Sequence, residues 1–140
     1  MYRPPMNLPA NNAPQTAWDA TVMLLERWLD QRARVDTLLE EVRLSGDDRA
    51  RCQHLLFGVI RHLSLLDGLI QARVARQPRS RLRAVLLLAG FELLEGRAKS
   101  PAVVVDHAVG RSKRLVSAAE ARLVNAVLRK LADGLATRVH

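Results

Sequence analysis

The chain has 140 residues, 49% of them apolar but only five aromatic, with one cysteine and a net charge of +8. That length supports one domain with a core built from Leu, Val and Ala. The lone Cys52 excludes an internal disulfide or a multi-cysteine zinc site and points to a reducing, cytoplasmic setting. The basic surplus is one-sided: residues 1–69 carry eight Lys/Arg against nine Asp/Glu, and residues 70–140 carry fourteen against five. Such an asymmetry leaves two readings open, a phosphate-rich partner or a solvated surface.

Residues 1–15 hold four prolines and three asparagines and lack the charged-then-apolar pattern of a signal peptide. They read as a flexible arm ahead of a single helical domain over 16–140. Thr16 can cap a first helix, with Asp19 three residues on and Val22, Leu25, Trp28 and Leu29 as its apolar set. A second, shorter helix is predicted over Arg32 to Val42, on Val35, Leu38, Leu39 and Val42. Ser45-Gly46 turns the chain, and Asp47 or Asp48 can cap the next helix.

A long third helix is predicted from Arg49 to about Ala75, with a broad stripe from Leu55 through Ile70, ended by the loop before Pro78. The fourth, Ser80 to Glu95, is apolar around most of its circumference and should be central. Its most apolar run, Ala84 to Leu94, is about half of a membrane span and contains Glu92. Ser100-Pro101 starts a fifth helix that ends near Leu115, and Ser117 with Glu120 forms a capping box for the last one. Gly58 and Gly90 inside helices each cost about 1 kcal/mol relative to alanine, which is explained by close helix approach or by a kink. No segment alternates as a strand does, so the class is all-α, a bundle with short loops.

Catalysis finds little support in these residues. The four histidines lie on separate segments, without HExxH or Cys-His spacing, and no glycine-rich phosphate loop follows a strand. Asp47-Asp48 and Glu40-Glu41 are accounted for by capping and solvation. The chain reads as a non-enzyme with neither cofactor nor metal, so the basic residues are the remaining candidates. Arg111, Lys113 and Arg114 end the fifth helix, where cations also suit the negative end of the helix dipole. In the last helix, Arg122, Asn125 and Arg129 form a polar strip beside the core face of Val124, Val127, Leu128, Leu131 and Leu135, and Lys130 follows. Asn125 there can bond a neighbouring helix or loop, or a phosphate or base edge. The loop RQPRSRLR adds Arg76, Arg79, Arg81 and Arg83.

Four segments occur in an order that resembles the NusB/RsmB family of RNA-binding domains. They are DDRARCQHLLFGVIRHLSLLDGLI (47–70), LLLAGFELLEG (86–96), SPAVVVDHAVGRSKRL (100–115) and LVNAVLRKL (123–131). The resemblance spans roughly Ala33 to Leu131. It implies six to seven helices in two three-helix subdomains and an RNA-binding role, with Arg111, Lys113, Arg114, Arg122, Asn125, Arg129 and Lys130 as candidate contacts. Stand-alone members that resemble NusB act in transcription antitermination. They bind single-stranded RNA of ribosomal transcripts with a small-subunit ribosomal protein and the elongation machinery. RsmB-type proteins carry the same domain ahead of a cytosine-5 rRNA methyltransferase, so a free-standing domain assisting such an enzyme is an alternative. A module that binds protein and has lost RNA is another. NusB proteins usually open with an arginine-rich run, whereas this chain has no cation between Arg3 and Arg27. Leu123 stands where an aromatic is often found, and His107 where a glutamate is common. Neither reading requires a membrane.

Overall fold

In the computed structural model of the chain, residues 16–96 and 100–138 are described, and the arm over 1–15 lies outside them. Among the described residues there are seven helices and no strand: α1 Ala17–Gln31, α2 Val35–Glu41, α3 Gly46–Arg61, α4 Leu63–Gln71, α5 Ser80–Glu95, α6 Pro101–Leu115 and α7 Ala118–Arg138. Helices α1–α3 pack as one group and α5–α7 as a second, with α4 bracing α5. The contact of α1 and α3 with α5 joins both groups around one core.

Capping chemistry sets most boundaries where the sequence puts them. The Thr16 hydroxyl accepts the Asp19 N–H at 3.1 Å, and the Ser100 hydroxyl accepts the Val103 N–H at 3.3 Å with Pro101 at the first helical position. At the end of α1, Arg32 adopts a left-handed conformation (φ 54°) that costs a non-glycine residue. Its guanidinium lies 4.2 Å from the centre of the Trp28 ring, a cation–π contact that offsets part of the cost. That turn consumes Arg32 to Arg34, so α2 is shorter than the predicted span. Helix α3 starts earlier than predicted, at Gly46. Asp47 and Asp48 sit in its first turn, where they favour the helix dipole, instead of capping it.

The predicted long helix over 49–75 is two helices. His62 leaves helical geometry (φ −106°, ψ 19°), its N–H shared between the Gly58 and Val59 carbonyls, while imidazole Nδ1 lies 2.9 Å from the Gly58 oxygen. The break redirects α4 onto α5 and fully buries Leu66 and Ile70. Burial of two such side chains stabilises by about 1.5–3 kcal/mol each, which outweighs the roughly 1 kcal/mol of a helical hydrogen bond. One turn earlier, Gly58 permits the α3–α5 contact: a Cβ there would stand 2.7 Å from Phe91 Cε1. Gly90 is milder, since a Cβ at that position would meet Leu66 and Leu131 methyls at 3.4 and 3.5 Å.

As the fourth segment's composition suggested, α5 is the central helix. Its residues Ala84 to Phe91 are all buried, and it touches α1, α3, α4, α6 and α7. Polar contacts at its two ends fix its direction. Near its start Arg81 Nε donates to Glu26 of α1 at 3.0 Å, and near its end Glu92 accepts the Trp18 indole N–H at 2.6 Å. Helices α1 and α5 therefore run antiparallel.

Candidate nucleic-acid interface

The turn between α6 and α7 is built by Ser117 and Glu120. The Ser117 hydroxyl accepts the Glu120 N–H at 3.0 Å and donates to its carboxylate at 2.9 Å. The same carboxylate accepts a two-pronged bond from Arg79, Nε at 2.8 Å and Nη2 at 2.9 Å. Arg79, aided by Ser117, holds the Glu120 carboxyl below the usual glutamate range although partial burial acts the other way. Partnership with Glu120 correspondingly raises the Arg79 guanidinium. These bonds clamp the start of α7 to the start of α5.

So positioned, α7 buries Val124, Val127, Leu128 and Leu131 and turns Arg122, Leu123, Ala126, Arg129 and Lys130 outward. The strip expected from helical geometry exists, with Arg122 and Arg129 exposed and Asn125 half-buried between them. Asn125 does not reach for a neighbouring helix: its Oδ1 accepts the Arg129 Nε–H at 2.9 Å, one turn along. The carboxamide thus aims a guanidinium along the helix surface. Lys113 and Arg114, in the last turn of α6, are exposed on the adjoining side of the turn.

Arg111 is placed differently. Its Nε donates to Asp19 Oδ1 at 2.9 Å and its Nη2 to the other oxygen. Asp19 is only 3% exposed, so this guanidinium is committed to neutralising a buried carboxylate and ties α6 to α1. The loop arginines are also absorbed by the fold. Arg79 is on Glu120, Arg81 bridges Glu26 and the Leu115 carbonyl, and Arg83 grips both oxygens of Asp67 at 3.0 and 2.8 Å. Arg76 stays exposed.

Lys113, Arg114, Arg122, Arg129 and Lys130 line an exposed edge of α6 and α7, and Arg43, Arg61 and Arg76 are exposed elsewhere. Arg122 and Arg129 are seven residues apart, about 10 Å along the axis, on the same exposed side of α7. Leu123 is 38% exposed on this edge and offers no π-face. No metal-ligating group of three or more residues occurs among the described residues, and no helix there is long and apolar enough to cross a membrane. Cys52 is buried, with the Thr21 hydroxyl 3.3 Å from its sulfur, and burial pushes its thiol pKa up, which keeps it protonated and unreactive.

A feature not anticipated from sequence is a recess of about 570 Å³ between α3 and the end of α5. Gln53, His54, Phe57 and Arg61 of α3 line it, facing Phe91 and Glu95. The spacing of the four α3 residues, one helical face with an exposed aromatic, was a signal available beforehand.

A model of the NusB family matches residues 15–133. The transcription antitermination protein NusB of Roseiflexus sp. (strain RS-1) is 33% identical over 96 residues, which cover 64% of this chain and 68% of that protein. Among solved structures, T. maritima NusB superimposes with a TM-score of 0.76 at 23% identity, over 91% of this chain and 93% of its own. A structure of the antitermination factors NusB and NusE with dsRNA matches with a TM-score of 0.76 at 23% identity, over 84% of this chain and 94% of that one. At that identity the superpositions establish the shared fold, while the family match extends over most of the chain and includes α6 and most of α7. The chain belongs to the NusB family.

Proposed function

We propose that this protein is a transcription antitermination factor of NusB type, a cytoplasmic binding protein and not a catalyst. It holds single-stranded RNA of ribosomal transcripts together with a protein partner of the kind that NusE represents for its relative. Membership of the family across residues 15–133 is the observation that carries this reading. The exposed cations Lys113, Arg114, Arg122, Arg129 and Lys130, gathered on α6 and α7, support it.

In this reading Lys113, Arg114, Arg122, Arg129 and Lys130 contact phosphates, Asn125 aims Arg129, and Arg111 acts through Asp19 to hold α6 in place. The test is fluorescence anisotropy of a labelled single-stranded rRNA leader across a range of salt concentrations. Arg122→Glu and Arg129→Glu should each weaken binding at least several-fold and lower the slope of log affinity against log salt by about 1, with unchanged helical content. Unchanged affinity and slope in both variants would remove the edge from the RNA site.

A further inference from the structure

We propose that the recess between α3 and α5 is a nucleotide-binding site, which takes one base with its phosphate, the base stacked on Phe57 and the phosphate held by Arg61. Gln53, Phe57 and Arg61 line the recess at successive turns of α3, and all three are exposed. Phe57, at 37%, is the one exposed aromatic among the described residues. It makes no ring contact there, whereas the buried Phe91 ring has the His54 and His62 rings 5.9 and 5.8 Å away. An accessible aromatic of this kind is what an unstacked base takes up, and every base has a π-face to offer it.

The polar side chains around the recess divide into engaged and unengaged ones. Glu95 is taken by His54 at 2.6 Å and Glu92 by Arg51 at 3.3 Å, so neither serves Arg61 as a counter-charge. The Arg61 guanidinium and the Gln53 carboxamide form no hydrogen bond or ion pair among the described residues. Arg79, Arg81, Arg83 and Arg111, by contrast, are each on a carboxylate. An uncommitted guanidinium one turn from an aromatic can hold the phosphate of a stacked base. The carboxamide on the other side of Phe57 offers a donor and an acceptor to the base edge. His62 adds a third polar group: its Nδ1 donates to the Gly58 carbonyl at 2.9 Å, which leaves Nε2 for a ligand.

Size and surroundings fit the same ligand. The recess, at about 570 Å³, falls within the roughly 300–1,000 Å³ of small-ligand sites. Asp47 and Asp48, the acidic residues of α3, sit in its first turn, about 20 Å along the axis from Arg61. A partner helix is matched less well, because it needs a row of apolar anchors and Phe57 is the one exposed large apolar side chain in the recess. The site lies at the end of α5, whereas Arg79 clamps the first turn of α7 to the start of α5. It supplies the stacking surface that Leu123 does not. The nucleotide is one of a bound RNA, a source that rests on the proposed function, or a free one.

The experiment follows the amide NMR signals of the full chain during titration with AMP, with adenosine and with the single-stranded rRNA leader. AMP should shift Gln53, Phe57 and Arg61 saturably, and adenosine should bind at least several-fold more weakly. Phe57→Ala should weaken AMP binding by about fivefold or more. Arg61→Gln should erase the preference for AMP over adenosine, and Arg122→Glu should leave the AMP shifts as they are. Phe57 and Arg61 are exposed, and unchanged helical content checks that both variants fold. Leader RNA that shifts the same amides and binds Phe57→Ala more weakly assigns the nucleotide to the RNA. Shifts with AMP and none with RNA assign it to a free nucleotide, and either result supports the site. The proposal is overturned if neither AMP nor RNA moves these amides, or if a protein partner alone does. It is equally overturned if Phe57→Ala binds AMP and RNA like the parent, or if Arg61→Gln keeps the phosphate preference. Leader binding that persists in any of those cases leaves the proposed function standing. AMP binding at the recess in a chain without RNA affinity would sink that function and keep this site.

Discussion

Gly58 and Asp19 show how much of this fold rests on single side chains, or on the lack of one. At Gly58 a methyl group would collide with the Phe91 ring, so Gly58→Ala sets overpacking of about 1–3 kcal/mol against a helix-propensity gain of about 1 kcal/mol. A net loss of about 1–2 kcal/mol in urea denaturation is expected, with part of it recovered by adding Phe91→Leu. Asp19 is buried and both its oxygens are taken by Arg111. Removing the cation strands a charge in the core, so Arg111→Gln should cost about 3 kcal/mol and cost more than the same change at any exposed cation of α7. RNA affinity measured well below the melting transition should fall less in Arg111→Gln than in Arg122→Glu. The reverse order would make Arg111 a direct contact. From sequence, Arg111 was indistinguishable from Lys113 and Arg114 because all three sit in the last turns of one helix. Only the third dimension brings a carboxylate 92 positions away within reach of one of them.

Among the elements, α7 tests the meaning of its asparagine. Asn125 accepts from Arg129 on the same helix face, a contact worth only a few tenths of a kcal/mol. Asn125→Ala should leave stability within about 0.5 kcal/mol of the parent while weakening RNA binding modestly. The double variant Asn125→Ala/Arg129→Ala should bind like Arg129→Ala alone, since the carboxamide acts through the guanidinium. The start of α7 depends on pH. The carboxyl of Glu120 titrates below its ordinary range in the folded chain, so the Arg79 clamp is fully present above the unfolded value and is lost as pH falls through the folded one. In acid, hydrogen exchange in the first turn of α7 should accelerate ahead of α5, and Glu120→Gln should abolish that difference at a cost of about 0.5–1 kcal/mol at neutral pH. The capping box itself was legible, because Ser117 and Glu120 are three residues apart. Arg79 as its third member was not, being 41 positions away. The division of α3 from α4 at His62 was equally hidden. Neither proline nor a helix-breaking run marks it, and the gain comes from burying Leu66 and Ile70 against α5.

For the molecule as a whole, sequence determined what local chemistry and periodicity encode. The all-α class, the central place of α5, the caps at Thr16, Ser100 and Ser117, and the outward strip of Arg122 and Arg129 come from side-chain spacing of 3.6 residues and from hydroxyls that complete helix ends. The ordered segments that resemble NusB/RsmB proteins were also there to be read. Net charge by halves was visible too, but it is a sum and does not say which cations face solvent. Tertiary packing decides the partners: Arg79, Arg81, Arg83 and Arg111 are drawn into ion pairs with Glu120, Glu26, Asp67 and Asp19, while Arg122, Arg129 and Lys130 of α7 stay exposed. It also created the recess between α3 and α5, which needs two helices brought together over a glycine. The physical reason is range. Capping and amphipathicity act within a turn or two of chain, whereas the partner of a charge and the wall of a groove are chosen by whichever distant segment the core places beside them.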